Sequence, residues 1–236
     1  MAKSHASNGW ASDAPTPAQL KEFFAQIEKG RITKSGLQGF LRGGKVTKTV
    51  EQWKQEWSSF YKKYFKLELD FSSLKIPEEQ PGFKRLIIVA KGLTMNQVYD
   101  VCAKNFPSSR YTNDLDTAIA SNDRDPNKDS YAVWFRDRKE ADEELKDLSA
   151  DKLAEKQILG ITLLERLLYE LKYWDETDEH LDISNWTLCA GSRHADGYVP
   201  YVYWDSGRFG VRWYGCSAHD DYLRSRAAVP CLPKAD

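Results

Sequence analysis

Cys216, Ser217, His219 and Asp220 lie close together near the C-terminal end of this chain. A thiol or hydroxyl beside an imidazole and a carboxylate could form a hydrolase, with Cys216 or Ser217 as nucleophile, His219 as base and Asp220 as orienting group. Such groups must meet at about 2.6–3.2 Å in a defined geometry, and neighbours on one short loop are too close in sequence to do so. The favoured reading is a set of polar loop residues, with no catalytic centre and no bound cofactor. A second cluster, Asp123, Asp125, Asn127 and Asp129, alternates oxygen ligands as a calcium loop does. It lacks the glycine and the terminal bidentate glutamate of an EF-hand, so a solvated turn without metal is expected. Arg42-Gly43-Gly44-Lys45 lacks the spacing and strand context of a P-loop and reads as a helix stop.

The 4 cysteines, Cys102, Cys189, Cys216 and Cys231, are spread too widely for a zinc pattern or a dense disulfide framework. A Cys189–Cys231 bridge stays open against two buried thiols, which a cytosolic chain favours. The 34 basic and 35 acidic side chains nearly cancel, so charge alone names neither nucleic acid nor membrane as partner. Residues Met1 to Pro17 have no apolar leader core, and no later run is long and apolar enough to insert in a bilayer. A cytoplasmic protein is expected.

These residues need a scaffold. After a disordered start over 1–16, Thr16-Pro17 opens a helix to Lys29 with Leu20, Phe23, Phe24 and Ile27 on one stripe. A second helix is predicted over 33–41 and a third over 50–65, where Trp53, Trp57, Phe60 and Tyr64 recur at periods of three and four. With a short strand over 67–71, these form a small helical N-terminal module, 17–74. A Pro-containing linker, 75–82, separates it from a second domain, 83–236. That domain opens with a strand over 83–90 and a helix over 94–106 capped by Thr94, then a loop to Asp129. A strand over 130–135 follows, then charged residues over 136–156 that suggest an exposed helix or helical turn. A helix over 158–174 carries Ile161, Leu164, Leu167, Leu168 and Leu171 toward a sheet. Short strands are predicted at 186–189, 199–204, 209–214 and 227–229. The fold class is α+β.

The composition changes at His180. From there to Pro233 the chain contains no Lys, Glu, Gln or Met, although 29% of the whole is charged. Strands and turns account for part of this, being poor in Lys and Glu. Strand parity gives a sharper reading. Pro200, Val202 and Trp204 share one face with Phe209, Val211 and Trp213, which is assigned to the core. Tyr201 and Tyr203 share the other with Gly210, Arg212 and Tyr214, and residues 205–208 form the turn. Tyr, Ser, Gly, Asp and Arg suit an adaptable binding surface, because Tyr supplies contact area at low rotamer cost. A codon varied at random while its third base stays a pyrimidine encodes every amino acid except Lys, Glu, Gln, Met and Trp. The segment obeys this apart from Trp186, Trp204 and Trp213, which are therefore expected to be invariant.

Several stretches carry a family likeness: Ser130-Tyr-Ala-Val-Trp-Phe-Arg-Asp137, Gly160-Ile-Thr-Leu-Leu-Glu-Arg-Leu-Leu168 and Leu188-Cys-Ala-Gly-Ser-Arg193. Val199-Pro-Tyr-Val-Tyr-Trp204, Val211-Arg-Trp-Tyr214 and Leu223-Arg-Ser-Arg-Ala-Ala-Val229 extend it. Through them, residues 131–229 resemble the variable proteins of diversity-generating retroelements, particularly a group encoded in uncultivated bacterial and archaeal genomes. The resemblance implies a C-type-lectin-like C-terminal domain, related to the formylglycine-generating-enzyme version. In it, adenine-directed mutagenesis would vary surface residues of a segment spanning about 188–229 on a fixed backbone. The ligand-contacting residues it implies are His194, Tyr198, Tyr201, Tyr203, Asp205, Arg208, Arg212, Tyr214, Cys216, Ser217, His219, Asp220 and Tyr222. Gly191, Ser192, Arg193, Gly197, Val199, Pro200, Val202, Trp204, Val211, Trp213, Leu223 and Arg226 would be framework.

The same resemblance raises a cysteine-dependent oxidase as an alternative. It would need a reactive pair such as Cys189 and Cys216, for which only Arg193 and His219 are candidate activators, tied to a thiol by no motif. A further alternative is nucleic-acid binding in and around the third helix, where Lys45, Lys48, Lys54, Lys62, Lys63 and Lys66 interleave with Trp53, Trp57, Tyr61 and Tyr64. Glu51, Glu56 and the helical period favour an ordinary amphipathic helix. The expectation is recognition without chemistry, of an unknown ligand that is a protein.

Overall fold

A computed structural model of the chain describes residues 15–32, 37 and 48–231. The chain divides into two compact units, Met1–Thr49 and Val50–Asp236. The predicted disordered start, apart from its last residues, and almost all of the helix predicted over 33–41 lie outside the described residues. In the first unit, α1 (Pro17–Glu28) begins with a capping box in which Thr16 and Gln19 satisfy each other's backbone N–H groups.

The predicted domain boundary is displaced. Helix α2 (Val50–Phe65) belongs to the second unit, because its aromatic stripe is spent on strand β1 (Phe83–Val89). The indole of Trp57 donates to the carbonyl of Leu86 at 3.1 Å. The hydroxyl of Tyr61 donates to the carbonyl of Ile88 at 2.8 Å and accepts from the N–H of Ala90 at 3.0 Å. Trp53, Trp57, Phe60 and Tyr61 are buried, so these aromatics are not open to stack on bases. Segment 75–82 is no free linker either: Pro77 is buried, and its carbonyl accepts the indole N–H of Trp134 at 2.8 Å. The strand predicted over 67–71 is irregular, because its residues find no partner strand.

The second unit is α+β. Strand β1 pairs antiparallel with β4 (Tyr131–Arg136), which also pairs with the terminal strand β10 (Val229–Pro230). Helix α3 (Met95–Asn105) has the predicted Thr94 cap, completed by Gln97. The stretch read as a loop to Asp129 contains β2 (Ser108–Arg110), the single turn α4 (Leu115–Ala118) and β3 (Ile119–Asn122). Within it the carboxylate of Asp125 accepts from the backbone N–H of Asn127 at 2.9 Å, forming a local turn.

The charged stretch after β4 is helical in short turns, as expected, but it is not exposed throughout. It forms a 3-10 turn, Glu143–Leu145, and the short α5 (Ala150–Glu155). Asp142 is fully buried against Arg136, and Leu145, Ala150 and Leu153 face a small apolar cluster.

Helix α6 (Leu163–Thr177) starts later than predicted, since Thr162 is its N-cap and Ile161 precedes it. Its apolar stripe enters the main core as expected. Its polar side is buried as well: Glu165 holds Arg124, and Arg166 holds Glu170 and Asp182. Ion pairing is what allows these charges to leave water.

The third part is a five-stranded sheet ordered β2, β8 (Arg208–Tyr214), β7 (Val199–Asp205), β5 (Trp186–Leu188) and β9 (Leu223–Arg224). A separate two-stranded sheet joins β3 to β6 (Ser192–His194). Among the described residues no helix is long and apolar enough to cross a membrane.

Candidate functional site

The site is built on the β7–β8 hairpin. Its strands pair antiparallel from Val199↔Tyr214 to Asp205↔Arg208, which leaves Ser206 and Gly207 as a two-residue turn. Both turn residues have positive φ, 50° and 72°, as a turn matched to the twist of the strands requires. The predicted turn is therefore tighter, with Asp205 and Arg208 serving as its closing pair.

Parity then separates the two faces. Val202, Phe209 and Val211 are buried on the side of the main core with Leu167 and Leu171 of α6. Trp204, only partly buried, lies flat against the imidazole of His180, with ring centroids 3.3 Å apart and an interplanar angle of 6°. The Nδ1 of His180 lies 2.8 Å from Glu170, which is itself bonded to Arg166. Asp182 joins the same buried network. Its carboxylate accepts from Arg166 at 2.7 Å, from Arg226 at 2.6 Å and from the hydroxyl of Thr187. Burial alone would raise the pKa of Asp182, but Arg226 and Arg166 outweigh it and hold the group below the ordinary carboxylate range. The backbone under the hairpin is thus clamped by packing and by ion pairs.

Trp213 departs from its assigned core place: it is 46% exposed. Strand β2 pairs with β8 only as far as Arg110↔Val211, so it does not extend over Trp213. Trp213 packs instead on Tyr198, at 4.7 Å between ring centroids.

The opposite face carries the aromatic residues. Val199 at its base packs with Leu145, Leu153, Leu188 and Leu223 in the small cluster, and the tyrosines continue outward from it. Tyr201 stacks on Tyr214 at 4.8 Å and lies 5.8 Å from Tyr203. Trp186 joins them all, with ring centroids 5.3 Å from Tyr201, 5.8 Å from Tyr203, 6.4 Å from Tyr214 and 6.1 Å from Tyr222. Tyr222 is 59% exposed. Burial, with the neighbouring Tyr214 and Tyr203 phenols, pushes the pKa of Tyr201 up to about 12.

Trp186 is a functional candidate that the sequence reading passed over as a mere invariant. The pairing Leu188↔Tyr201 sets β5 in phase with β7, so Trp186 shares the face of Tyr201. Parity applied to β5 would have found it once that pairing was known. Ser109 is a second omission. It pairs in register with Gly210 and lines a cavity of about 330 Å³ with Tyr203, Asp205, Ser206, Arg208 and Arg212.

The predicted ligand-contacting residues fall into separate groups. Tyr201, Tyr203, Tyr214 and Tyr222 come together around Trp186, and Asp205, Arg208 and Arg212 join Tyr203 in the cavity. His194 and Tyr198 are elsewhere, at the β6–β7 turn, where His194 contacts Asp196 at 2.6 Å and accompanies Tyr111. In the loop after β8, Cys216 packs on the small cluster and Ser217 is exposed. Asp220 accepts from the backbone N–H of Tyr222 at 2.9 Å and so shapes the turn that presents that tyrosine.

The loop does not assemble a triad. The imidazole of His219 lies 2.9 Å from the carboxylate of Asp147, and its ring makes no bond to Cys216 or Ser217 among the described residues. All four cysteines are free, so Cys189 and Cys231 are not bridged. Cys189 is buried, and burial pushes its thiol pKa up, away from the thiolate that redox or nucleophilic chemistry needs. What this arrangement can do is present a wide aromatic surface with a charged cleft at one end. No family model, curated protein or solved structure matches the chain.

Proposed function

We propose that this chain is a ligand-binding protein with a C-type-lectin-like domain, in which a retroelement diversifies the surface of the β7–β8 hairpin and the loop after it. Its ligand is a protein. The observation that carries the reading is the division of one hairpin into two chemistries. Val202, Phe209 and Val211 are sealed in the core, while Tyr201, Tyr203, Tyr214 and Tyr222 form one surface around Trp186. A surface of this kind can change its side chains without changing its backbone, which is what diversification of a binding site requires. Aromatic anchors at its centre supply most of the contact energy, on the order of 2 kcal/mol each on truncation.

The test is a library in which Tyr201, Tyr203, Arg212 and Tyr214 are randomised together and the melting of individual members is followed. Most members are expected to unfold cooperatively, within a few kcal/mol of the parent, because substitutions at these half-buried positions off the main core shift stability by about 1 kcal/mol each. A library in which most members fail to fold would overturn the reading.

A further inference from the structure

Most arginines of the second unit are already engaged. Arg124 is bonded to Glu165, Arg166 and Arg226 to Asp182, and Arg224 to Glu143. Arg193, Arg208 and Arg212 are different: among the described residues none of the three makes an ion pair, and Arg193 bonds to the backbone carbonyls of Ala190 and Ser192 away from the hairpin cavity. Arg212 bonds only to the backbone carbonyl of Val211, at 3.0 Å.

Arg208 and Arg212 leave the same face of β8, one on each side of Gly210. The hydroxyl end of Tyr203 lies over Gly210, and Ser109 is level with it on the neighbouring strand. Both hydroxyls lack a hydrogen-bond partner among the described residues. The cavity of about 330 Å³ that they line therefore offers two guanidinium forks and these two hydroxyl donors, with Asp205 as its one acidic wall and the third hydroxyl, that of Ser206, donating to Asp205. A guanidinium fork matches the two oxygens of a carboxylate, and charge-assisted bonds of this type are stronger than neutral ones.

We propose that this cleft receives an acidic side chain, Asp or Glu, from the protein ligand that rests on the aromatic surface. The inference builds on the ligand-binding reading and names the chemistry of one anchor. Tyr203 belongs both to the aromatic surface and to the cleft, so a ligand covering the tyrosines brings its neighbouring side chain to the two arginines. A nucleic acid fits less well: a single carboxylate meets only Asp205 against two guanidinium groups, whereas a chain of phosphates also runs past Asp220 and Asp221 in the turn beside Tyr222, which repel it.

The experiment pans the full-length protein against a displayed library of short random peptides and measures the enriched peptides on variants. Peptides carrying Asp or Glu are expected, binding Arg208→Gln and Arg212→Gln about tenfold or more weakly than the parent. Arg212→Lys is expected to recover part of the loss, since it keeps the charge and gives up the fork. Thermal melts of the variants, expected unchanged, separate lost binding from lost folding. Peptides without acidic residues, or with affinities indifferent to both arginines, would overturn the carboxylate anchor. If such peptides still lose binding on Tyr201→Ala, the aromatic surface stands and only the anchor fails. If they are indifferent to Tyr201→Ala as well, or if nothing is enriched, both fail. A single-stranded oligonucleotide that displaces the acidic peptides and binds through the same arginines more tightly than they do would also overturn it.

Discussion

The hydroxyl end of Tyr203 lies over Gly210 so closely that a β-carbon on the glycine would fall 2.3 Å from Cζ of the tyrosine. The absence of a side chain at position 210 is what lets the ring lie down on the sheet and close one side of the cleft. Gly210→Ala must push the ring away. Because the displaced atoms are the free end of a half-exposed side chain, the expected stability cost is small, about 1 kcal/mol or less. The loss appears in the orientation of Tyr203 instead, checked by the crystal structure of the variant and by its affinity for peptides that bind the parent.

Trp204 and Tyr201 are two residues of one strand with opposite duties, and truncating each separates them. Trp204 stacks on His180 and contacts Phe106 at 6.0 Å, so Trp204→Ala is expected to cost about 3 kcal/mol. Tyr201→Ala is expected to cost about 1 kcal/mol, since its half-buried ring stacks on Trp186 and Tyr214 and reaches only the outer side of the small apolar cluster. Chemical denaturation of both variants makes the comparison. Equal losses would mean that the tyrosine face is part of the fold.

The ion pairs beneath the hairpin must be broken one partner at a time to see their weight. Asp182→Asn leaves Arg166 and Arg226 without their shared carboxylate in a fully buried site. An uncompensated buried charge of this kind costs about 3–5 kcal/mol, read from the midpoint of urea unfolding.

Acid should weaken the fold for a related reason. Burial would raise the pKa of Glu176, but Arg85 and Lys172 outweigh it and bring the group from 4.5 down to about 2. Asp182 is also depressed. Groups with a depressed folded pKa add stability that is fully present above their ordinary range and is lost as pH falls toward the folded value. Urea midpoints are therefore expected to be flat above about pH 5 and to fall from there toward pH 2. Glu176→Gln should be less stable near neutrality and show a shallower acid decline.

Much of this arrangement was legible because it is local. The caps at Thr16 and Thr94, the period of α2 and the alternation of β7 and β8 are each written within a few residues, and parity alone assigned Val202 and Val211 to the core and Tyr201 and Tyr203 to the surface. What escaped depends on partners distant in sequence. Trp57 and Tyr61 bond to carbonyls of β1, which is why α2 joins the second unit and the expected boundary moves. Nothing within the helix announces that Glu165, Arg166 and Glu170 are buried, because their partners Arg124, Asp182 and His180 lie on other elements. Trp213 obeys parity yet stays exposed, because burial also needs a neighbour to supply the cover. Trp186 enters the site through a strand pairing that no pattern within β5 announces.

The central claim, a surface varied on a constant backbone, is tested most directly by the nucleotide sequence around the gene. A second, nearly identical copy of the stretch coding for residues 188–229 is expected beside a reverse-transcriptase gene. The two copies should differ mainly where that second copy has adenine, at codons such as those of Tyr201, Tyr203, Arg212 and Tyr214. Absence of any such copy, or differences falling on the codons of Val202, Trp204 and Val211, would contradict it.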